Sequence, residues 1–189
     1  MDCEEHVIEN PLSGERIVIR TSGTETGGTL LVWDLELAPG GRVPSSHSHP
    51  EQEECFSVVS GQMRFRVGRR RLTAGPGETV TVPPGTVHHF ANPGSVPACV
   101  HVETRPALDM EAMLVVGAAM AREQYAEGRK LPRPLELALF LRDYEREVAS
   151  PYFPAVVRAV SRPIAWLTRW RALDTHYREL RDRDSASAL

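Results

Sequence analysis

The spacing of apolar residues divides the chain near residue 106. Upstream of that point, short runs in which apolar and polar residues alternate are separated by glycine and proline: ERIVIR, TLLVWDLEL, CFSVV, MRFRV, ETVTV and ACVHVET. Alternation with a period of two is typical of strands that bury one face, and short strands divided by turn residues indicate an all-β sandwich or barrel. The first part of the chain is therefore predicted to be mainly β.

The pattern becomes helical after the segment RPALD. A first helix is expected between an N-cap at Asp109 and a stop at Gly128, and a second is expected to begin at Pro134. The apolar stripe predicted for the first helix contains Met110, Met113, Leu114, Gly117, Met120 and Tyr125. The stripe predicted for the second contains Leu135, Ala138, Leu141 and Val148. These patterns predict a β domain over residues 1–106 and a C-terminal helical extension over residues 107–189.

The last part of the extension combines basic and aromatic residues. Arginines lie opposite an apolar face in the segment from Pro151 to Arg171, with Trp166 and Trp170 near the boundary between the two faces. We expect this segment to pack on the barrel, near a cavity mouth or a subunit contact. Peripheral membrane contact is the less favoured alternative, because Pro163 interrupts a continuous amphipathic helix.

Composition narrows the classes of function. The chain has 189 residues and a formal charge of −3, so it lacks the overall basic field typical of proteins that bind nucleic acid. Cys3, Cys55 and Cys99 form no CxxC pair, which favours a reducing, cytoplasmic location. The acidic N-terminal segment has no apolar core, so no signal peptide is expected. No apolar run approaches the ~18 residues of a membrane span.

The segment HSHPEQEECFSVVSG holds an unusual density of candidate metal ligands. Because side chains alternate along a strand, His47 and His49 point the same way and can bind one ion together. Glu51, Glu53 and Glu54 compete to supply an acidic ligand.

The same alternation distinguishes these glutamates. It places Glu54, Phe56 and Val58 on one face of the strand and Cys55 and Ser57 on the other. If the apolar side chains face the interior, Glu54 faces it too, whereas Glu51 and Glu53 lie on a solvated turn. In the later segment GETVTVPPGTVHHFAN, His88 and Phe90 share a face and His89 takes the opposite one.

These two segments resemble the paired motifs of the cupin family. The first fits the pattern G-x5-H-x-H-x4-E-x6-G at Gly41, His47, His49, Glu54 and Gly61. The second fits G-x5-P-x-G-x2-H-x3-N at Gly77, Pro83, Gly85, His88 and Asn92. The motifs occupy residues 41–61 and 77–92, within a resemblance that covers about residues 12 to 105. It implies a jelly-roll β-barrel that holds one divalent metal ion through His47, His49, Glu54 and His88.

Three imidazoles and one carboxylate suit a borderline transition metal: iron, manganese, nickel, cobalt or zinc. Such a set leaves coordination positions for water, a substrate or O₂. Glu54 is the ligand able to act as a catalytic base, a role that the resemblance to cupin dioxygenases also implies.

The expected barrel interior is apolar. Phe56, Met63, Phe65 and Phe90 are predicted to line a substrate pocket, although the same side chains would also serve as simple core packing. An interior with little positive charge argues against a phosphorylated sugar as substrate. The favoured function is a dioxygenase-like oxidoreductase that acts on a small apolar or aromatic compound bearing oxygen. The alternatives are a metal-dependent isomerase, cyclase or lyase, and a non-catalytic protein that binds a small molecule. Exposed sheet edges favour a homodimer.

Overall fold

The computed structural model describes residues 6–43, 45–129, 131–151, 175 and 177–179 of the chain. The fold is mainly β, with helices on the C-terminal side, as the sequence predicts. The expectations for the segment that holds Trp166 and Trp170 lie outside the described residues. The division at residue 106 stays a prediction.

Nine strands precede two helices over the described residues. The strands are β1 (Val7–Asn10), β2 (Glu15–Thr21), β3 (Leu31–Leu37), β4 (Glu53–Ser60), β5 (Met63–Val67), β6 (Arg70–Ala74), β7 (Thr79–Val82), β8 (His88–Ala91) and β9 (Ala98–Arg105). The helices are α1 (Met110–Ala126) and α2 (Pro134–Asp143). No helix among the described residues combines the length and hydrophobicity that a membrane crossing requires.

The strands form two antiparallel sheets that enclose a common core. The larger sheet has the order β1-β2-β3-β9-β4-β7, and the smaller has the order β6-β5-β8. The loop before β4 extends the smaller sheet, because Arg42 pairs with Ala91 and His47 pairs with His88 in isolated antiparallel bridges. This loop therefore lies beside β8 at the edge of the smaller sheet, where it can bring polar side chains to the edge of the core.

The period-two pattern assigns the faces of β4 correctly. Glu54, Phe56 and Val58 are buried, and the intervening Cys55 and Ser57 are only partly buried. The Phe56 ring packs against the rings of Phe65 and Phe90, with centroid separations of 5.3 Å and 5.4 Å. Aromatic contacts of this kind stabilise a core beyond the area that they bury.

The stripe predicted for α1 is wrong in part. Tyr125 is exposed and Leu114 is only partly buried, whereas Val115 and Val116 are buried. The helix lies between neighbours on more than one side, so its buried surface is wider than one stripe. On one side the Arg122 guanidinium donates to the Glu9 carbonyl in β1, at 3.3 Å.

The ends of the helices agree better with the sequence. α1 follows an N-cap at Asp109, although the side chain of this residue makes no capping hydrogen bond. The helix ends before Gly128, whose φ of 63° closes the last turn and whose N–H donates to the Tyr125 carbonyl. In α2, Leu141 is buried as expected, but the helix ends at Asp143. Val148 therefore cannot continue its stripe and lies instead in the chain that returns to the barrel.

Candidate metal centre

Backbone pairing brings the three motif histidines together. The His47 N–H donates to the His88 carbonyl at 3.1 Å, and the His88 N–H donates back at 2.8 Å. The Gly85 N–H donates to the His49 carbonyl at 2.7 Å, which fixes the loop before β4 against the turn before β8. As a result, the His47 and His88 rings lie 4.5 Å apart between centroids, and the His49 and His88 rings lie 5.2 Å apart.

Each of the three imidazoles is oriented by a backbone carbonyl. The Nδ1 atoms bond to the carbonyls of Ser45 for His47 (3.1 Å), of Glu147 for His49 (2.5 Å) and of Thr86 for His88 (3.0 Å). A carbonyl oxygen only accepts, so each Nδ1 must carry the proton. In the neutral ring, Nε2 then presents a lone pair, which is the arrangement found in histidines that bind metal ions.

The three imidazoles form a group with the spacing of metal ligands. His47, His49 and His88 each offer a ligand atom, and these atoms all lie within 4.8 Å of one another. Glu54 adjoins the cluster, since its Oε2 lies 3.1 Å from Nε2 of both His49 and His88. Ligands about 2.1 Å from a zinc-like ion stand about 3.0–3.4 Å apart at adjacent positions, so this spacing fits a coordination edge.

Three of these atoms are buried without a hydrogen bond of adequate geometry among the described residues: His49 Nε2, His88 Nε2 and Glu54 Oε2. Three such atoms aimed at one another form an arrangement that a bound cation would satisfy. The donor set therefore fits a divalent transition metal ion.

The electrostatics of the cluster favour a cation. Burial, reinforced by the neighbouring His49 and His88, lowers the pKa of His47 to about 3, so this ring is neutral near pH 7. Burial opposes ionisation of Glu54, yet interactions with the neighbouring His49 and His88 hold the pKa of its carboxyl well below its usual range. Burial also opposes the protonation of His49, but the Glu54 carboxylate raises the pKa of His49. Binding of a divalent ion would therefore displace a proton.

Burial distinguishes the three glutamates that could supply an acidic ligand. Glu54 is 2% exposed and faces the three imidazoles, whereas Glu51 and Glu53 are on the surface. Glu51 is not simply solvated, because both of its carboxylate oxygens accept hydrogen bonds from Arg146. The metal-ligand assignment itself stays a prediction, as does the role of Glu54 as a base.

The residues predicted to line a substrate pocket lie behind the histidines. Phe56, Met63, Phe65 and Phe90 are all buried, with exposures from 0% to 5%, and they belong to the main core. The Phe56 ring lies 6.4 Å from the His88 ring, so the aromatic cluster adjoins the metal centre. His47 is the only partly exposed histidine of the three, which places the open side of the centre at this residue. The pocket assignment stays a prediction.

Sequence reasoning misses the part that the helical extension plays at this site. The carbonyl that orients His49 belongs to Glu147, and Ala149 pairs with Ser48 in an isolated bridge. No local pattern signals these contacts, because they join positions about 100 residues apart through backbone atoms. The segment DYEREV does not single out Glu147 either, although the structure buries it beside the exposed Glu145 and Arg146.

Comparison with known proteins agrees with the geometry. Residues 33–103 match the family model for the cupin domain, Cupin_2. A curated relative, the germin-like protein 3-7 of Oryza sativa subsp. japonica, is 38% identical over 69 residues. That match spans 34% of this chain and 29% of the relative, so the chain corresponds to less than a third of the relative's length.

Solved structures with the same fold include KdgF from Halomonas sp. It superposes with a TM-score of 0.50 at 16% identity, over 59% of this chain and 96% of KdgF. A sugar phosphate isomerase of the cupin superfamily from Silicibacter pomeroyi matches with a TM-score of 0.43 at 25% identity, over 49% of this chain and 59% of its own. At these levels the structural likeness concerns the fold. The family match and the two motifs identify residues 33–103 as a cupin domain.

Proposed function

We propose that this protein is a metal-dependent cupin of the oxidoreductase type, resembling a dioxygenase, that acts on a small apolar or aromatic compound bearing oxygen. One observation carries the proposal. Three neighbouring imidazoles have their Nδ1 atoms committed to backbone carbonyls, and the remaining nitrogens of His49 and His88 lie 3.1 Å from the buried Glu54 carboxylate.

In this proposal His47, His49, Glu54 and His88 hold one divalent ion, of which iron, manganese, nickel, cobalt and zinc are the candidates. Such an ion supplies Lewis acidity toward an oxygen donor, and a redox-active one supplies a position for O₂. The carbonyl bonds keep the three imidazoles in the required tautomer without adding charge. In this proposal Glu54 also serves as the base that accepts a proton from a substrate hydroxyl.

The character of the interior supports an uncharged substrate. Over the described ranges of the chain, no arginine or lysine is buried. Arg64 and Arg66 alternate with the buried Met63 and Phe65 and point to solvent. A phosphorylated substrate would leave its charge without a cationic partner inside the barrel, whereas a phenol or an enol needs only the metal and one base.

The experiment uses the whole chain, loaded with Fe²⁺ without oxygen and then mixed with a panel of phenols and enols. Oxygen uptake is followed with an electrode, and products are followed by NMR. We expect substrate-dependent O₂ consumption by the wild type and a loss of about 10²–10⁴-fold in the variant Glu54→Gln. Glu53→Gln is the matched control, because Glu53 precedes Glu54 in the chain but is exposed.

Other outcomes of this experiment would each lead to a different conclusion about the function. Conversion of a substrate without O₂ would replace the oxidoreductase with an isomerase, cyclase or lyase. Saturable binding without conversion would indicate a non-catalytic binding protein. A chain that binds no divalent ion would refute the proposal altogether.

We also propose that the protein is a homodimer. Light scattering at micromolar concentrations tests this proposal.

A further inference from the structure

The loop that carries two of the histidines is held by the C-terminal extension as well as by the barrel. Ser48 and Ala149 exchange two backbone hydrogen bonds, of 2.9 Å and 2.8 Å. Beside this bridge, the Arg146 guanidinium binds the Glu51 carboxylate through two nitrogens. Residues 146–149 are therefore joined to the loop over residues 48–51 by one antiparallel backbone bridge and one ion pair.

Within the 146–149 segment, Glu147 contacts the site directly. Its carbonyl oxygen accepts the Nδ1–H bond of His49 at 2.5 Å. The other two histidines are oriented by the carbonyls of Ser45 and Thr86, each two residues from the histidine in sequence. His49 is different, because its partner is 98 residues away and belongs to the extension.

The side chain of Glu147 fixes the position of that carbonyl. It is 2% exposed, and its Oε1 accepts a hydrogen bond from the Asp109 N–H at 3.2 Å, at the start of α1. A carboxylate at the N-terminus of a helix is stabilised by the unpaired N–H groups and by the helix dipole. Glu147 thus joins the start of α1 to a ring nitrogen of His49.

We propose that Glu147 is a positioning residue for the metal centre, and that the 146–149 segment sets the metal affinity by holding His49 in the tautomer that presents Nε2. This inference rests on the proposed metal site, and it deepens that proposal. Losing the partner of a metal-binding histidine typically lowers metal affinity about 10–100-fold. The extension is therefore part of the metal centre rather than an independent appendage.

The variants separate the side chain from the backbone bridge. Glu147→Ala removes the carboxylate that anchors the carbonyl, and Glu147→Gln keeps an oxygen acceptor at the same position. Ala149→Pro removes the N–H that donates to the Ser48 carbonyl while leaving the Glu147 side chain intact. Glu145→Ala is the matched control, because Glu145 is a neighbouring glutamate that is exposed.

The first measurement is the affinity of each full-length variant for Co²⁺, by competition with a chelator. We expect Glu147→Ala and Ala149→Pro to bind about 10–100-fold more weakly and still reach full stoichiometry at excess metal. Glu147→Gln and Glu145→Ala should stay within about threefold of the wild type. Wild-type affinity in both Glu147→Ala and Ala149→Pro would overturn the inference. If Glu147→Ala fails to fold, the affinity of Ala149→Pro decides the question.

The second measurement does not depend on metal. The ring ¹⁵N shifts of His49 in the metal-free protein, recorded at a pH high enough for the ring to be neutral, report which nitrogen carries the proton. We expect the Nδ1–H form in the wild type and a mixture of tautomers in Glu147→Ala. If the wild type binds no metal, the proposed function fails, but a change of tautomer would still support the positioning role. An unchanged His49 signal in both Glu147→Ala and Ala149→Pro would refute it.

Discussion

Two of the groups that pair histidine with carboxylate in the described part of the molecule differ in where they lie. At the end of the barrel, His49, His88 and Glu54 are buried together. On the outer face of the larger sheet, His101 in β9 donates from Nδ1 to the Asp34 carboxylate in β3 at 2.8 Å, and both side chains are about 40% exposed. Arg20 binds the other oxygen of Asp34 at 2.7 Å.

The comparison shows that an oriented histidine is not enough to make a site. His101 has a fixed ring, as His49 does, but its partner is charged and already neutralised by a guanidinium. Among the residues that the structure describes, only His47, His49 and His88 form a group with metal-ligand spacing. The inner group differs because its histidines bond to neutral backbone carbonyls, are more deeply buried and lie within ligand distance of one another. The outer group instead resembles an ordinary surface ion-pair network.

The largest expected difference between the two faces concerns stability. Phe56→Ala leaves a cavity where three phenylalanine rings meet, and we expect a loss of about 3–5 kcal/mol in the free energy of unfolding. Ser57→Ala, on the outer face of the same strand, should change that free energy by about 0.5 kcal/mol or less. Urea unfolding of both variants measures this, and equal losses would contradict the assignment of the faces.

We expect the outer ion pair of Asp34 to contribute little to the free energy of unfolding, and to contribute only where the pH is high enough for Asp34 to be ionised. Partial burial opposes the ionisation of Asp34, but Arg20 and His101 lower the pKa of this residue below its ordinary 3.8. A carboxyl group with a lower pKa in the folded state stabilises the fold at higher pH, and the contribution is lost as the pH falls through the folded-state value. We expect Asp34→Asn to cost about 0.2–1 kcal/mol at pH 7, because the pair is exposed.

Urea unfolding across a pH series tests this expectation. The difference between Asp34→Asn and the wild type should shrink as the pH falls below 3.8. Metal content should be unchanged in the variant at neutral pH. A cost that grows in acid would show that the sign of the Asp34 contribution is wrong.

The smallest expected effect is at Cys55. This residue follows Glu54 in β4, and its thiol lies on the outer side, 3.8 Å from the Thr81 hydroxyl. Cys55→Ser should therefore retain the metal content of the wild type, as measured by elemental analysis. Loss of metal would mean that β4 is out of register by one residue, which would exchange its two faces.

The sequence predicts the barrel and its faces well, because a period of two leaves only one assignment that buries Phe56 and Val58 together. It also distinguishes Glu54 from Glu51 and Glu53 by the same rule. Helix faces are less certain, since α1 contacts several neighbours and Tyr125 need not be buried. The end of α2 likewise depends on a turn that returns the chain to the barrel, and period alone does not show where that turn begins.

The partner of His49 could not be predicted for a different reason. A backbone carbonyl has no signature in the sequence, and the contact from Glu147 depends on how the extension returns to the loop before β4. The carbonyls that orient His47 and His88 are local, so their positions follow once the loop and turn are formed. The non-local partner is therefore the feature that only the structure provides.

Metal analysis of wild type, His49→Ala and His101→Ala tests the central claim most directly. The three full-length proteins are purified without chelator, exposed to a divalent metal and desalted, and their content is measured per chain. We predict one ion in the wild type, one in His101→Ala and essentially none in His49→Ala. Full loading of His49→Ala, or loss of the ion in His101→Ala, would contradict the assignment of the metal centre to the inner group.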